Sequence, residues 1–455
     1  MFEIFYYYLY QLAHNMQIEN NKEKSVLYVG QAYYNHWYLS RELRKTGWKA
    51  DQLNLDRVEN PTFFHGQDFG LYEEKYKLLH QKVEFYLYAL NNYNVFHFSS
   101  TFGIFFLTDF DTAEPQKKDD LTFRFFSFLF NKVLKWKLNN IYRLVYLLGI
   151  KRSTRILAKY KHYLPVRWDI LLLKKLGKKI VYTNNACHDG VLQSSFAKWS
   201  TPDNISVCDI CPQKDRPMVC SDEKQKKWGE FRNSVCDYQC LLGGNRVDYN
   251  IAPTIHEVPE VYCLDKSFWN PDLLIPTNYK LPFADNIIKI FHAVGNFESR
   301  SQAGSKTIKS THIYIPLIEK LKKQGLPVEL IFFNDVPNKK MRYYQAQADI
   351  VVDMLTYGFF GANIREAMML GKPCICYIRP EWLEQMRKEI PDYANELPII
   401  SATPDTIEAT LINLVNNPEK RQEIGKKSRE FAVKWHSSDI AAIKLDTIYS
   451  NLLNS

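Results

Sequence analysis

Residues 349–377 read DIVVDMLTYGFFGANIREAMMLGKPCICY, and their pattern decides how this chain folds. An apolar run at 350–352 predicts a short strand, and Gly358 and Gly361 mark a loop. A helix is expected over about 362–370, Gly371 ends it, and Pro373 opens a second apolar strand reaching about 377. In a strand–loop–helix–strand unit the loop sits at the carboxyl end of the first strand. The first helical amides then point outward with partial positive charge, a place to hold a phosphate. Glu366 stands one turn into that helix. Its carboxylate suits the two hydroxyls of a ribose while the amides face a diphosphate. The plainer reading is an acid that favours the helix N-terminus by its charge, and the residues leave both open.

Gly361, Arg365-Glu366-Ala367-Met368 and Gly371-Lys372-Pro373 together resemble the donor-sugar motif of the retaining GT-B glycosyltransferases of family 4, a group of nucleotide-sugar-dependent enzymes. That family usually carries two glutamates with seven residues between them. Here the second is Glu366 and the first falls on Gly358. In the family the first glutamate touches the transferred sugar and the second the nucleotide ribose. The resemblance therefore implies a preserved nucleotide site and an altered sugar contact. Gly358-Phe359-Phe360-Gly361 is similar to the version found in bacterial surface-polysaccharide members.

A chain of 455 residues suits two domains of about 200 residues each. With 46% hydrophobic and 24% charged residues it reads as globular rather than disordered. The opening MFEIFYYYLYQLAHNM has no basic residues ahead of its apolar run and no small-residue cleavage site, so no signal peptide is expected. Lys and Arg interrupt every long apolar window, which argues against a spanning helix and for a cytoplasmic protein.

The net charge of +9 is concentrated. Residues 124–179 hold fifteen Lys and Arg against Asp169 alone, giving +14 and leaving the rest of the chain at 9 − 14 = −5. Within this segment, FRFFSFLFNKVLKWKLNNIYRLVYLLGI alternates apolar residues and bases at roughly helical spacing. Such a helix fits an anionic membrane surface, as an enzyme using a lipid-linked acceptor requires; a helical hairpin with solvated bases fits equally. Nucleic acid is a weaker reading, because no binding motif accompanies the charge.

In chain order, SVLYVG at 25–30 predicts the first strand of an α/β sheet, with Gly30 in the loop leaving it, a helix at 35–46 and a strand at 50–55. A strand at 95–98 carries His97, and one at 179–183 leads to TNNACHDG with His188 and Asp189. Polar groups at the carboxyl end of a parallel strand are candidates for catalysis. The family resemblance implies a histidine here beside the donor sugar, for which His188 is the candidate; a structural loop histidine is the alternative, and His97 the second candidate. The resemblance also brings Gly30 near the acceptor or the diphosphate.

Cys208, Cys211, Cys220, Cys236 and Cys240 place five of nine cysteines within 33 residues, with Cys187 just upstream. Clustered thiolates suit a structural zinc, although this spacing fits no standard finger, and reduced free thiols or disulfides are the other readings. A strand is expected at 249–252, a proline-rich linker over 271–282, and a second sheet beginning near 287. In the family an Arg and a Lys near the start of that second domain neutralise the donor diphosphate. Arg300 and Lys309 fit by register, with Lys306 as the alternative to Lys309.

The resemblance thus implies an α/β GT-B fold, two Rossmann-like domains facing a cleft, with a helical and cysteine-rich insertion in the first. The expected acceptor-side domain spans 1–280, with the basic insertion at about 121–165 and the cysteine loop at about 187–240. The nucleotide-sugar domain spans 285–435, and a helix at 436–455 crosses back. The implied activity is hexosyltransferase-like: sugar transfer with retention from a UDP- or GDP-linked donor to a glycan or lipid-linked acceptor, in capsule, exopolysaccharide or lipopolysaccharide synthesis. No catalytic metal is expected. Glu366 would hold the ribose, Arg300 and Lys309 the diphosphate, and residues 358–361 the phosphate or sugar. Two rivals share the fold: a sugar-nucleotide epimerase or hydrolase, and a zinc-stabilised binding protein on a degenerate transferase scaffold.

Overall fold

The computed structural model describes residues 23–30, 32–55, 63–71, 77–99, 103–105, 167–184, 191–199, 207–211, 214, 220–242, 246–295, 308–334 and 336–455, with 128, 149, 152 and 155 as isolated positions. Most of the basic insertion, residues 1–22, His188, Asp189, Cys187, Arg300 and Lys306 lie outside them.

Two parallel sheets organise the chain. The first contains β1 (Ser25–Val29), β2 (Lys49–Asn54), β3 (Phe69–Gly70), β4 (Val95–Ser99), β5 (Lys179–Thr183), β6 (Tyr238–Leu241) and β7 (Ile255–Glu257), in the order β3-β2-β1-β4-β5-β6-β7. The second contains β8 (Ile288–Val294), β9 (Val328–Asn334), β10 (Ile350–Val352), β11 (Cys374–Cys376) and β12 (Ile400–Ser401), in the order β12-β11-β10-β8-β9. Both orders reverse direction once, between β1 and β4 and between β8 and β10. In doubly wound sheets that reversal opens a crevice at the carboxyl ends of the strands.

The apolar runs become central strands because helices cover both faces of each sheet. All five residues of β1, all five of β4 and all three of β10 are buried. One apolar cluster runs from Val26 and Tyr28 of the first sheet, through Ala441 and Leu445 of the C-terminal helix, to Phe360, Trp382 and Cys374 of the second. The helix Ser438–Asn454 follows the helix Pro418–His436 and packs on Asn35–Lys45 of the first domain. The strand bridge of Leu264 with Ser437 pins the crossing. The two Rossmann-like domains face one another across a cleft on this shared base.

The expected elements of the decisive stretch are found at 350–352, 362–369 and 374–376, and Gly371 turns the chain at φ +70. The region before the second domain differs from expectation. Residues 222–235 form a helix capped by Ser221, whose Oγ accepts from the Lys224 amide, and Tyr238–Leu241 forms β6, so the cysteine segment is not one long loop. The strand expected at 249–252 is a 3-10 turn, Asp248–Ile251, and the strand falls later, at β7. A close approach explains the shift: a Cβ on Gly229 would lie 2.3 Å from the Tyr249 ring. That contact holds Tyr249 against the helix and leaves no extended run.

Candidate functional site

The crevice of the second sheet is built from the loops after β8 and β10. After β8 comes the helix Thr311–Lys323, preceded by Ser310 at φ +60. Ser310 Oγ accepts from the Leu355 amide at 3.0 Å, tying this turn to the loop after β10. Lys309 Nζ donates to both oxygens of Asp353, at 2.8 and 3.0 Å. Asp353 is fully buried and the Lys309 side chain is 13% exposed, which makes this a largely desolvated pair at the end of β10. Lys309 is therefore near the crevice but engaged by a carboxylate that the sequence reading had not singled out.

The loop 358–361 carries the departure from the two-glutamate pattern. Gly358 has φ +97, and a Cβ there would stand 3.0 Å from Arg379 Cβ. A glutamate would be strained in backbone and crowded in side chain, so position 358 presents no side chain to the crevice. Its carbonyl accepts from the Arg379 amide at 2.7 Å. Phe359 stacks toward Trp382, and Phe360 is fully buried between Trp382 and His436. Gly361 is the N-cap of the helix Ala362–Met369. Thr356 Oγ1 is buried and makes no hydrogen bond among the described residues.

Glu366 is buried on that helix. Its Oε1 accepts from Tyr34 Oη at 2.7 Å and from Asn338 Nδ2 at 2.7 Å. Tyr34 belongs to the turn after β1, so the first domain reaches directly into this corner. Burial pushes the Glu366 carboxyl up to about 7, and the hydrogen bonds of Tyr34 and Asn338, with Arg365 and Lys309 nearby, oppose that rise. Tyr34, Asn338 and Asp353 are the site residues that sequence reasoning missed. Tyr34 and Asn338 stand 332 and 28 residues from Glu366, and no local signal reports such a meeting.

Arg379, just after β11, lays its guanidinium 3.4 Å from the ring centroid of Trp199 in the first domain. Phe196 and Trp199 form an aromatic contact, Phe196 also meets Tyr357, and Val191, Val207 and Cys208 pack beside Ile308 and Tyr357. The early part of the cysteine segment is thus an apolar wall across the cleft.

The other residues singled out in the sequence lie elsewhere. Gly30, at φ +84, donates its amide to the Leu53 carbonyl and accepts at its own carbonyl from His36 and Gln52. His97 is fully buried, hydrogen-bonded to Tyr449 and to Thr183, so it is a core group and not a crevice residue. The five cysteines do not converge on one site among the described residues, although Cys211 lies near enough to Cys220 to act on its thiol. Cys236 and Cys240 point into different cores, and burial raises both thiols, Cys240 to about 12, so neither ionises readily. Cys220 instead accepts from Gln225 Nε2 at 3.4 Å. Among the described residues no group of three or more His, Cys, Asp or Glu could hold a metal ion, so the zinc expectation loses two of its five ligands to core packing.

Two Rossmann-like domains with parallel sheets facing a cleft define the GT-B class. Residues 316–431 match the family of glycosyl transferases group 1. A sucrose-phosphate synthase from Thermosynechococcus elongatus superposes over 95% of this chain and 100% of its own, at TM-score 0.50 and 12% identity. A glycosyltransferase from Rickettsia africae covers 95% of this chain and 99% of its own at TM-score 0.49 and 10% identity. Anabaena HepE, solved in complex with UDP-glucose, covers 94% and 99% at TM-score 0.47 and 11% identity. At 12% identity the sucrose-phosphate synthase bears on the fold alone. A search of curated proteins found no match. The chain has the GT-B fold, and its match to the group 1 glycosyl transferases lies within the second domain.

Proposed function

We propose that the protein transfers a sugar from a nucleotide-sugar donor, bound at the carboxyl end of the second sheet, to a glycan or lipid-linked acceptor with retention at the anomeric carbon. The observation that carries this reading is Glu366: a buried carboxylate one turn into the helix that follows the glycine loop, inside the segment matching the family and facing the first domain. A ribose would present its two hydroxyls to that carboxylate. The amides at the start of the helix Ala362–Met369 would face the phosphates. Lys309, exchanging part of its bond with Asp353 for a phosphate oxygen, would share the diphosphate with Arg300 and stabilise the charge that grows as the sugar departs. With no side chain at Gly358, the sugar contact is left to the backbone and the neighbouring loops. His188 and Asp189 would act at the sugar from the first domain.

The acceptor-side domain is taken as 1–280 and the donor domain as 285–435. The basic segment 124–179 supports an acceptor held at an anionic membrane surface, as capsule, exopolysaccharide or lipopolysaccharide assembly requires. No helix among the described residues is long and apolar enough to cross a membrane.

The test is a thermal-shift screen against UDP, GDP, ADP, CMP and their common sugar conjugates, run on the parent and on Glu366→Ala. A ligand that binds only the folded state raises Tm with concentration, by the equivalent of about 2.7 kcal/mol at a hundred times Kd. One nucleotide that stabilises the parent and not the variant supports the donor site and names its base. No stabilisation by any of them sinks the reading.

A further inference from the structure

Glu366 Oε1 is one end of a hydrogen-bonded chain that runs back into the first domain. Asn338 Nδ2 donates to Glu366 Oε1 at 2.7 Å, Asn338 Oδ1 meets His65 Nε2 at 2.7 Å, and His65 Nδ1 meets the Tyr38 hydroxyl at 2.8 Å. Tyr38, His65, Asn338 and Glu366 are all buried. The proton positions follow from the chemistry of the ends. A carboxylate only accepts, so the Asn338 amide group faces it and the Asn338 carbonyl faces His65. His65 must therefore carry its proton on Nε2, and its Nδ1 must accept from the Tyr38 hydroxyl. Each member fixes the next.

We propose that Asn338 is a positioning residue for Glu366, its amide set in turn by His65 and Tyr38, so that the first domain orients the carboxylate that meets the donor ribose. This rests on the donor reading given above. Both donors to Glu366 converge on Oε1, and among the described residues no hydrogen bond reaches Oε2. The chain therefore pins one oxygen and leaves the other for a ligand hydroxyl. Asn338 opens its own helix, Asn338–Gln345, in the same domain as Glu366, so it travels with the carboxylate. His65 and Tyr38 belong to the other domain, and Lys339 Nζ donates to the His65 carbonyl at 2.9 Å to hold them in place. The chain therefore spans the two domains.

The charged and titratable groups facing Glu366 are Tyr34 from the first domain, Lys309 from the loop before the helix Thr311–Lys323, and Arg365 from its own helix. Those facing His65 are Tyr38, Lys339 and Arg342; burial holds His65 down at about 4, so it stays neutral across the working range. A neutral His65 is what the assigned tautomer requires.

The test uses the full chain with three readouts. UDP and GDP affinities are measured by calorimetry, the Glu366 carboxyl titration by carbon NMR, and the His65 tautomer by nitrogen NMR, in the parent, Asn338→Ala, Tyr38→Phe and Glu366→Ala. Asn338→Ala is expected to raise the Glu366 midpoint and weaken the nucleotide about 10-fold, the scale of one hydrogen bond to a charged group. Tyr38→Phe, which removes one oxygen far from the ligand, is expected to leave the His65 proton on Nε2, deprive Nδ1 of its donor, raise the Glu366 midpoint and weaken the nucleotide about 3-fold, the lower range of a neutral hydrogen bond. It also serves if Asn338→Ala fails to fold. A Tyr38→Phe chain with unchanged midpoint and affinity, or a parent whose His65 proton sits on Nδ1, overturns the proposal. So does Asn338→Ala binding as tightly as the parent while Glu366→Ala has lost binding. A parent that binds neither nucleotide, with the His65 proton on Nε2 and the midpoint responses intact, defeats the donor reading and leaves the positioning chain standing.

Discussion

Among the described residues, two buried polar clusters, one on each sheet, differ in character. On the first, His97 meets Thr183 and Tyr449, Tyr449 donates to Tyr28 at 3.1 Å, and His36 bonds the Gly30 carbonyl. These groups are neutral. Burial drives His97 well below its ordinary value and Tyr449 well above, so neither charges near neutrality. On the second, Lys309 pairs with Asp353, and a carboxylate that burial raises to about 7 accepts a hydrogen bond from Tyr34 across the cleft. Neutral groups that satisfy one another within a single packing layer describe a core. Charged groups kept largely dry at the reversal of strand order, with Tyr34 reaching in from the other domain, mark a candidate ligand site.

The sharpest way to break this contrast is to unpair the charge. Asp353→Ala strands the Lys309 ammonium in a desolvated corner and is expected to cost about 3–5 kcal/mol of unfolding free energy, read by denaturant titration. A loss under 1 kcal/mol would mean that the corner is wet and the pair ordinary. Next in size is the pH response of Glu366. Its folded-state value is raised, so the protonated carboxyl's contribution is complete below about 4.5 and is lost as pH rises through about 7. The parent should lose about 3 kcal/mol over that window through this group, and Glu366→Gln should flatten the profile by that amount. Nucleotide binding, which uses the ionised carboxylate, should strengthen over the same window. Opposite slopes for stability and binding are the expected signature. The smallest effect belongs to the first cluster: Tyr449→Phe removes the hydroxyl that joins His97 to Tyr28 and should cost about 1–2 kcal/mol with no change in pH profile or nucleotide affinity. A change in affinity would extend the ligand site into the first sheet.

The cysteine segment shows how a sequence cluster can mislead. Cys236 ends the helix Asp222–Val235 and Cys240 lies on β6, and the four-residue interval looks like a ligand spacing. Across a helix end and a strand, however, it sends one thiol into each of two cores. Spacing reports ligation only where the backbone between the residues is known. His97 misled in the same way: a histidine near the end of a strand reads as catalytic until a residue 352 positions later proves to be its partner.

Local pattern determined a great deal. The apolar runs that became β1, β5, β8 and β10, the Gly371 stop and the Glu366 position one turn into its helix were legible because each depends on residues within a few positions. Tertiary structure alone decided the rest. Lys309 is held by Asp353, position 358 disfavours a side chain because its φ is +97 and Arg379 stands close behind it, and Glu366 is reached by Tyr34 and, through Asn338, by His65. Those meetings arise when two separately wound sheets close on a common core. Hydrogen bonds and ion pairs act over about 3 Å, whatever the distance along the chain.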